Sequence, residues 1–194
     1  YGITILQGYG MTECSPVISN NLHWANKKGS VGQLLPNCEG KIVDEEIWVK
    51  GSSVMMGYYN MPEETAEALE DGWLKTGDLG YIDEDNFVYI TGRKKNLIIL
   101  ANGENVSPEE IENQIAKADL VKEIIVRETD KVIQAEIFPD YEYAKKKRIK
   151  DIPAALQEII DTYNSTAPVY KRVLDLVVRE TEFEKNTSKK IKRH

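Results

Sequence analysis

Apolar and polar positions alternate irregularly in the first half of the chain, in short stretches broken by glycine, and settle into regular periods after residue 97. Residues 3–7 are apolar and β-branched enough for a short buried strand, which Gly8-Tyr9-Gly10 breaks. Between residues 29 and 59, Gly29, Gly32, Pro36, Gly40, Gly51 and Gly57 interrupt apolar stretches such as Ile47-Trp48-Val49, a pattern of short strands and turns. Pro62 opens a short helix: Glu63 and Glu64 suit its positive N-terminal end, Ala66, Ala68 and Leu69 propagate it, and Asp71-Gly72 ends it. Thr76-Gly77-Asp78-Leu79-Gly80 reads as a glycine-flanked acidic turn. Asp83-Glu84-Asp85-Asn86 reads as a solvated hairpin turn before a strand over residues 87–90.

Residues 97–100 and 104–106 predict a small hairpin across Asn102-Gly103. Ser107-Pro108-Glu109-Glu110 is a helix start, with Ser107 as cap, Pro108 at the first helical position and Glu110 completing a capping box. Ile111, Ile115 and Ala118 form its buried stripe. Strands follow over residues 121–126 and 132–138; in the second, Ile133, Ala135 and Ile137 alternate with Gln134 and Glu136, so one face is buried and the other wet. Leu156, Ile159, Ile160 and Tyr163 mark an amphipathic helix after Pro153, and residues 173–178 a last strand. The expected class is α+β: a β-rich part over residues 1–92, a joint at 93–96, and a small domain of mixed strands with helices on one side over 97–194.

Composition narrows this picture. The 41% hydrophobic and 29% charged content is that of a globular chain, and no apolar run approaches the roughly 20 residues of a membrane-spanning helix. No charged-then-apolar leader opens the chain, and Cys14 and Cys38, without metal-ligand spacing, read as thiols of a reducing cytoplasm. A net charge of −7 argues against a dedicated nucleic-acid binder; Lys145-Lys146-Lys147-Arg148 reads as a solvated helix face. Residues 1–92 hold 14 acidic and 5 basic side chains, residues 93–194 hold 18 and 20. That asymmetry suits an anionic ligand brought to the joint, and equally suits ordinary solvated surface.

Candidate chemistry lies in three places. In Gly8-Tyr9-Gly10-Met11-Thr12-Glu13 the glycines allow close backbone approach to a ligand, Thr12 can bond a phosphate, Glu13 can hold Mg²⁺ and Tyr9 can cover a flat ring. A glycine turn with a capping threonine and a solvated glutamate stays open as the alternative. Asp78 offers two acceptor oxygens to ribose hydroxyls, or bonds its own backbone in an Asx-type turn. The tail over residues 185–193 reads as a polar, basic, frayed terminus.

Taken together, Gly8-Tyr9-Gly10-Met11-Thr12-Glu13, Thr76-Gly77-Asp78, Gly92-Arg93-Lys94-Lys95-Asn96 and Lys190-Ile191-Lys192-Arg193 stand in an order and spacing that resembles the C-terminal portion of the adenylate-forming, AMP-binding enzymes. Residues 97–112 look most like the long-chain fatty acid–CoA ligase branch. The resemblance implies an enzyme that uses ATP and Mg²⁺ to turn a fatty acid into acyl-AMP and passes the acyl group to coenzyme A, with a larger N-terminal domain of the same protein as partner. The phosphate-holding loop of that domain has no counterpart here, which implies that the chain alone is inactive. By the same resemblance Tyr9 lies at the adenine with Gly10 among the cofactor-binding residues, Thr12 at the phosphates, Glu13 on Mg²⁺, Asp78 at the ribose and Arg93 at the ribose or phosphate side. Lys95 is the hinge, Gly103 borders the pantetheine channel, and Lys190 is the catalytic lysine of adenylation. Lys189 stands where the family usually has glycine, and Ile99 where some relatives carry a further lysine. Two other readings remain: an adenylation domain that loads a carrier protein, and a nucleotide-binding module without catalysis.

Overall fold

The computed structural model describes residues 3–100, 103–187 and 189–193. In chain order the elements are β1 (Gly8–Gly10), β2 (Val17–Asn20), β3 (Gln33–Leu34), β4 (Cys38–Val43), β5 (Glu46–Gly51), α1 (Pro62–Ala68), β6 (Leu69–Glu70), β7 (Trp73–Ile82), β8 (Val88–Arg93), β9 (Ile98–Ile99), β10 (Asn105–Val106), α2 (Pro108–Ile115), β11 (Val121–Thr129), β12 (Val132–Pro139), α3 (Tyr141–Lys147), α4 (Ile152–Thr166) and β13 (Val173–Val178). The class is mixed α+β. The chain divides into two compact units, Tyr1–Lys95 and Asn96–His194.

The first unit is built on antiparallel pairing. β1 pairs β2 and β2 pairs β3; β4, β5 and β7 run side by side, with β6 against the start of β7 and β8 against its end. Ile18, Ile47, Val49, Leu74 and Val88 fill the core, with Cys14 and Cys38 as buried free thiols. Burial, and next the nearby Cys38, pushes the Cys14 thiol up to about 11.

Two expectations fail here. Residues 3–7 form no strand, and Ile3 and Ile5 are exposed; the strand is the glycine segment itself, because the partner β2 lies beside residues 8–10. Gly10 is required there, since a Cβ would meet the Pro16 carbonyl oxygen at 1.9 Å. Likewise Thr76-Gly77-Asp78-Leu79-Gly80 is no turn but the interior of β7, kept in the sheet by β5 on one edge and β8 on the other. The turn at residues 83–86 is as expected, with Asp83 Oδ1 accepting from the Asp85 and Phe87 N–H groups at 3.0 and 2.9 Å. It also captures Lys27, whose ammonium reaches Asp83 and Asp85.

The second unit has β11 antiparallel and β13 parallel to β12, with α2 and α4 contributing Ile111, Ile115, Leu156 and Ile160 to a core against Ile124, Val126, Ala135 and Ile137. Asp151 caps α4, accepting from the Ala154 N–H at 2.9 Å. β9 and β10 form the small hairpin; Asn102 lies outside the described residues. Helix α2 begins at Pro108 after Ser107 as expected, but Ser107 makes no side-chain cap. Its hydroxyl donates to Glu109, and Glu110 pairs with Lys171 at 2.7 Å. Glu136, expected on a wet face, is 6% exposed because Arg127 and Arg179 close over it.

Candidate functional site

β7 and β8 bring two of the singled-out residues face to face. Asp78 and Arg93 are directly opposed in the antiparallel register, and Arg93 Nε forms an ion pair with Asp78 Oδ1 at 2.9 Å. From β1 the Tyr9 hydroxyl donates to Asp78 Oδ2 at 2.7 Å. Burial, with the Asp78 charge beside it, pushes the Tyr9 phenol far above its ordinary range, so it remains a donor. Asp78 is buried while Arg93 is half-exposed. Each carboxylate oxygen keeps lone-pair capacity beyond the bond it already accepts, which is the capacity a vicinal diol requires.

Thr12 and Glu13 sit in a single 3-10 turn, Thr12–Cys14, directly after β1. Thr12 is exposed. The Glu13 carbonyl accepts from the Met55 N–H at 2.8 Å, and the Tyr58 hydroxyl donates to Glu13 Oε1 at 2.9 Å, so both backbone and side chain are held. Glu13, Tyr58, Thr76 and Gly77 line one open cleft of about 720 Å³. Among the described residues no group of three or more His, Cys, Asp or Glu side chains is placed to hold a metal ion. Glu13 nevertheless fits Mg²⁺ in the mode that uses one carboxylate and the oxygens of a substrate phosphate. Lys95 is exposed in a 3-10 turn at the end of the unit.

Gly103 and Lys190 belong to the second unit. Gly103 has φ +84°, and its N–H donates to the Leu100 carbonyl at 2.8 Å. Lys190 is exposed near the tip of a C-terminal hairpin. The expected frayed tail is folded back instead: Lys185 bridges to Ile191, the Lys192 N–H donates to the Glu184 carbonyl at 2.8 Å, and Asn186 Oδ1 accepts from the Lys190 N–H at 2.9 Å. Phe183 and Ile191 pack on Ile125 and Phe138, while Lys185 pairs with Glu123 and Arg193 with Glu112. Counting charges hid these two apolar anchors. Lys189 has φ +60°, the left-handed region that favours glycine.

Sequence reasoning missed the buried carboxylates Glu46, Glu112 and Glu136. The available signal was a glutamate within or beside an apolar stretch, as in Glu46-Ile47-Trp48-Val49. Among the described residues no helix is long and apolar enough to cross a membrane.

Comparison with known proteins bears on this geometry. Residues 1–59 match the family model described as AMP-binding enzyme, and residues 95–194 the one described as AMP-binding enzyme C-terminal domain. A long-chain-fatty-acid–CoA ligase of Bacillus subtilis (strain 168) is 45% identical over 138 residues, a match covering 64% of this chain and 24% of that protein. The o-succinylbenzoate CoA synthetase of Bacillus subtilis, solved in complex with the acyl-adenylate intermediate, is 32% identical with a TM-score of 0.80, covering 98% of this chain and 40% of that one. The same synthetase with ATP and magnesium ion gives 30% identity and a TM-score of 0.76, again over 98% of this chain and 40% of that one. The chain thus spans about a quarter of the length of the curated relatives it matches, at 24% for the first. With a C-terminal-domain model matching residues 95–194, more than half of the sequence, the chain belongs to the AMP-binding enzyme family.

Proposed function

We propose that the intact protein is an ATP-dependent acid–thiol ligase of the cytoplasm that activates a long-chain fatty acid as acyl-AMP and transfers the acyl group to coenzyme A. In this reading residues 1–92 end the large domain, residues 93–96 are the hinge with Lys95 at its pivot, and residues 97–194 are the mobile small domain. The observation that carries the proposal is the Tyr9–Asp78–Arg93 constellation, a buried carboxylate with an aromatic hydroxyl and a guanidinium on its two oxygens. Asp78 accepts the ribose hydroxyls and Arg93 sits at the same edge, its fork of donors suited to ribose and phosphate oxygens. The Tyr9 ring, fixed by its hydroxyl, lies against the adenine beside Gly10, and Thr12 bonds the phosphates. Glu13 would hold Mg²⁺, which would supply charge neutralisation at the phosphates. A carboxylate oxygen of the fatty acid bonds to the α-phosphorus and pyrophosphate leaves. Lys190 offsets the negative charge that develops there. The thiol of coenzyme A, entering past Gly103, gives up its proton to solvent, its sulfur bonds to the acyl carbon, and AMP leaves.

The test is the pair of half-reactions in the intact enzyme. Lys190→Ala is expected to slow acyl-AMP formation by about 10²–10³-fold, read as fatty-acid-dependent pyrophosphate exchange, and to spare thioester formation from supplied acyl-AMP. Equal loss of both half-reactions sinks the assignment of Lys190. Transfer to a holo carrier protein but not to coenzyme A sinks the choice of acceptor.

A further inference from the structure

Glu46 opens β5, is 3% exposed, and uses both of its carboxylate oxygens. Lys94 Nζ reaches Oε2 at 2.9 Å, and Oε1 accepts the Gly77 N–H at 2.9 Å. Gly77 immediately precedes Asp78 in β7, and Lys94 immediately follows Arg93 at the end of β8. One carboxylate therefore grips the neighbour of each member of the opposed Asp78–Arg93 pair. The grip falls where β7 departs from regular pairing: its register with β5 shifts between Glu46 and Trp48, and Gly77 has φ +71°. A bulge of this kind re-aims the side chain that follows it. Thr76 holds the bulge from the other side, its hydroxyl donating to the Ile47 carbonyl at 2.7 Å and accepting from the Asp78 N–H at 3.1 Å.

An apolar side chain of similar size would fill this position without the desolvation that a buried carboxylate suffers. It would hold neither the Gly77 N–H nor the Lys94 ammonium. We propose that Glu46 is a positioning residue that, through Gly77 and Lys94, fixes the aim of the Asp78–Arg93 pair at a ribose diol. The proposal rests on the nucleotide reading above and adds to it a residue that does not itself touch the nucleotide.

The experiment compares ATP with 2′,3′-dideoxy-ATP as substrate of the intact enzyme, in the wild type and in Glu46→Gln, Lys94→Met and Asp78→Ala. Glutamine keeps one acceptor but sets an amide where a carboxylate met both donors. The wild type should prefer ATP in kcat/KM; Asp78→Ala should erase that preference, and Glu46→Gln should cut it about tenfold, mainly through KM. Adding Glu46→Gln to Asp78→Ala should cut it no further. A merely structural role would lower both nucleotides alike and leave the ratio intact. If Asp78→Ala leaves the preference unchanged, the nucleotide reading falls. If Asp78→Ala erases it while Glu46→Gln keeps it within twofold of wild type, the positioning role falls. Should Glu46→Gln fail to fold, Lys94→Met decides, since Lys94 is more than half exposed: a reduced ratio supports the role and an unchanged one overturns it.

Discussion

Glu46 in the first unit and Glu112 in the second are 3% and 8% exposed, and each meets one cation and one backbone N–H, yet their carboxyls move in opposite directions. For Glu46 burial acts to raise the value, but the Lys94 ammonium and the Gly77 N–H outweigh it and hold the group below 4.5. For Glu112 burial dominates, and the Val126 N–H at 2.7 Å and Arg193 offset only part of it, so the group stands above 4.5. Part of the difference lies in how the cation is shared. Lys94 pairs with Glu46, whereas Arg193 reaches Glu109 at 3.6 Å as well as Glu112, and Glu109 itself acts to raise its neighbour. The direction is set by desolvation weighed against the donors that meet the carboxylate, and a like charge sharing the cation adds a smaller push.

The largest effect should come from removing the shared cation. Arg193→Met leaves two carboxylates uncompensated and is expected to destabilise the second unit by about 3 kcal/mol at pH 7. Lys94→Met should cost less, because that ammonium is already more than half in water. Urea unfolding separates the two, since Trp24, Trp48 and Trp73 all fall in the first unit and their fluorescence reports it, while α2, α3 and α4 dominate the ellipticity of the second. A larger loss for Lys94→Met would break the comparison.

A smaller effect, but one of opposite sign in the two units, should follow pH. Glu46 has a depressed folded value, so its contribution is present above 4.5 and is lost as pH falls through that value and below. Glu112 has a raised folded value, so the folded state binds its proton first, and its contribution is best below 4.5 and weakens as pH rises through the folded value. Glu46→Gln should remove the first trend and Glu112→Gln the second. Parallel trends in both wild-type units, followed by the two probes between pH 6 and 3.5, would refute the assignment. The smallest change is expected from Lys189→Gly, which relieves a left-handed lysine and should stabilise the second unit by about 1 kcal/mol. A lower Tm would show that the hairpin tip draws stability from that side chain.

Parts of this molecule were legible because their cause is local. Helix α1 begins at Pro62, and α4 carries Leu156, Ile159, Ile160 and Tyr163 on its core side, since capping and a 3.6-residue period act within one or two turns. The same reading put a strand at residues 3–7 and a turn at residues 76–80, because glycine and β-branched residues were judged without knowing which strand would lie alongside. The tail was read from its charges, when Phe183 and Ile191 are what dock it.

The sequence by itself determined the α+β class, the helix starts and the ordered motifs that mark an AMP-binding enzyme, all properties of short windows and their spacing. Only the tertiary structure decided that Asp78 lies in a strand opposite Arg93, with the Tyr9 hydroxyl on its second oxygen. It alone decided that Glu46 grips residues 31 and 48 positions away. The physical reason is that a carboxylate's role is set by the donors that surround it after folding, and strand pairing delivers those donors from parts of the chain that no local pattern connects.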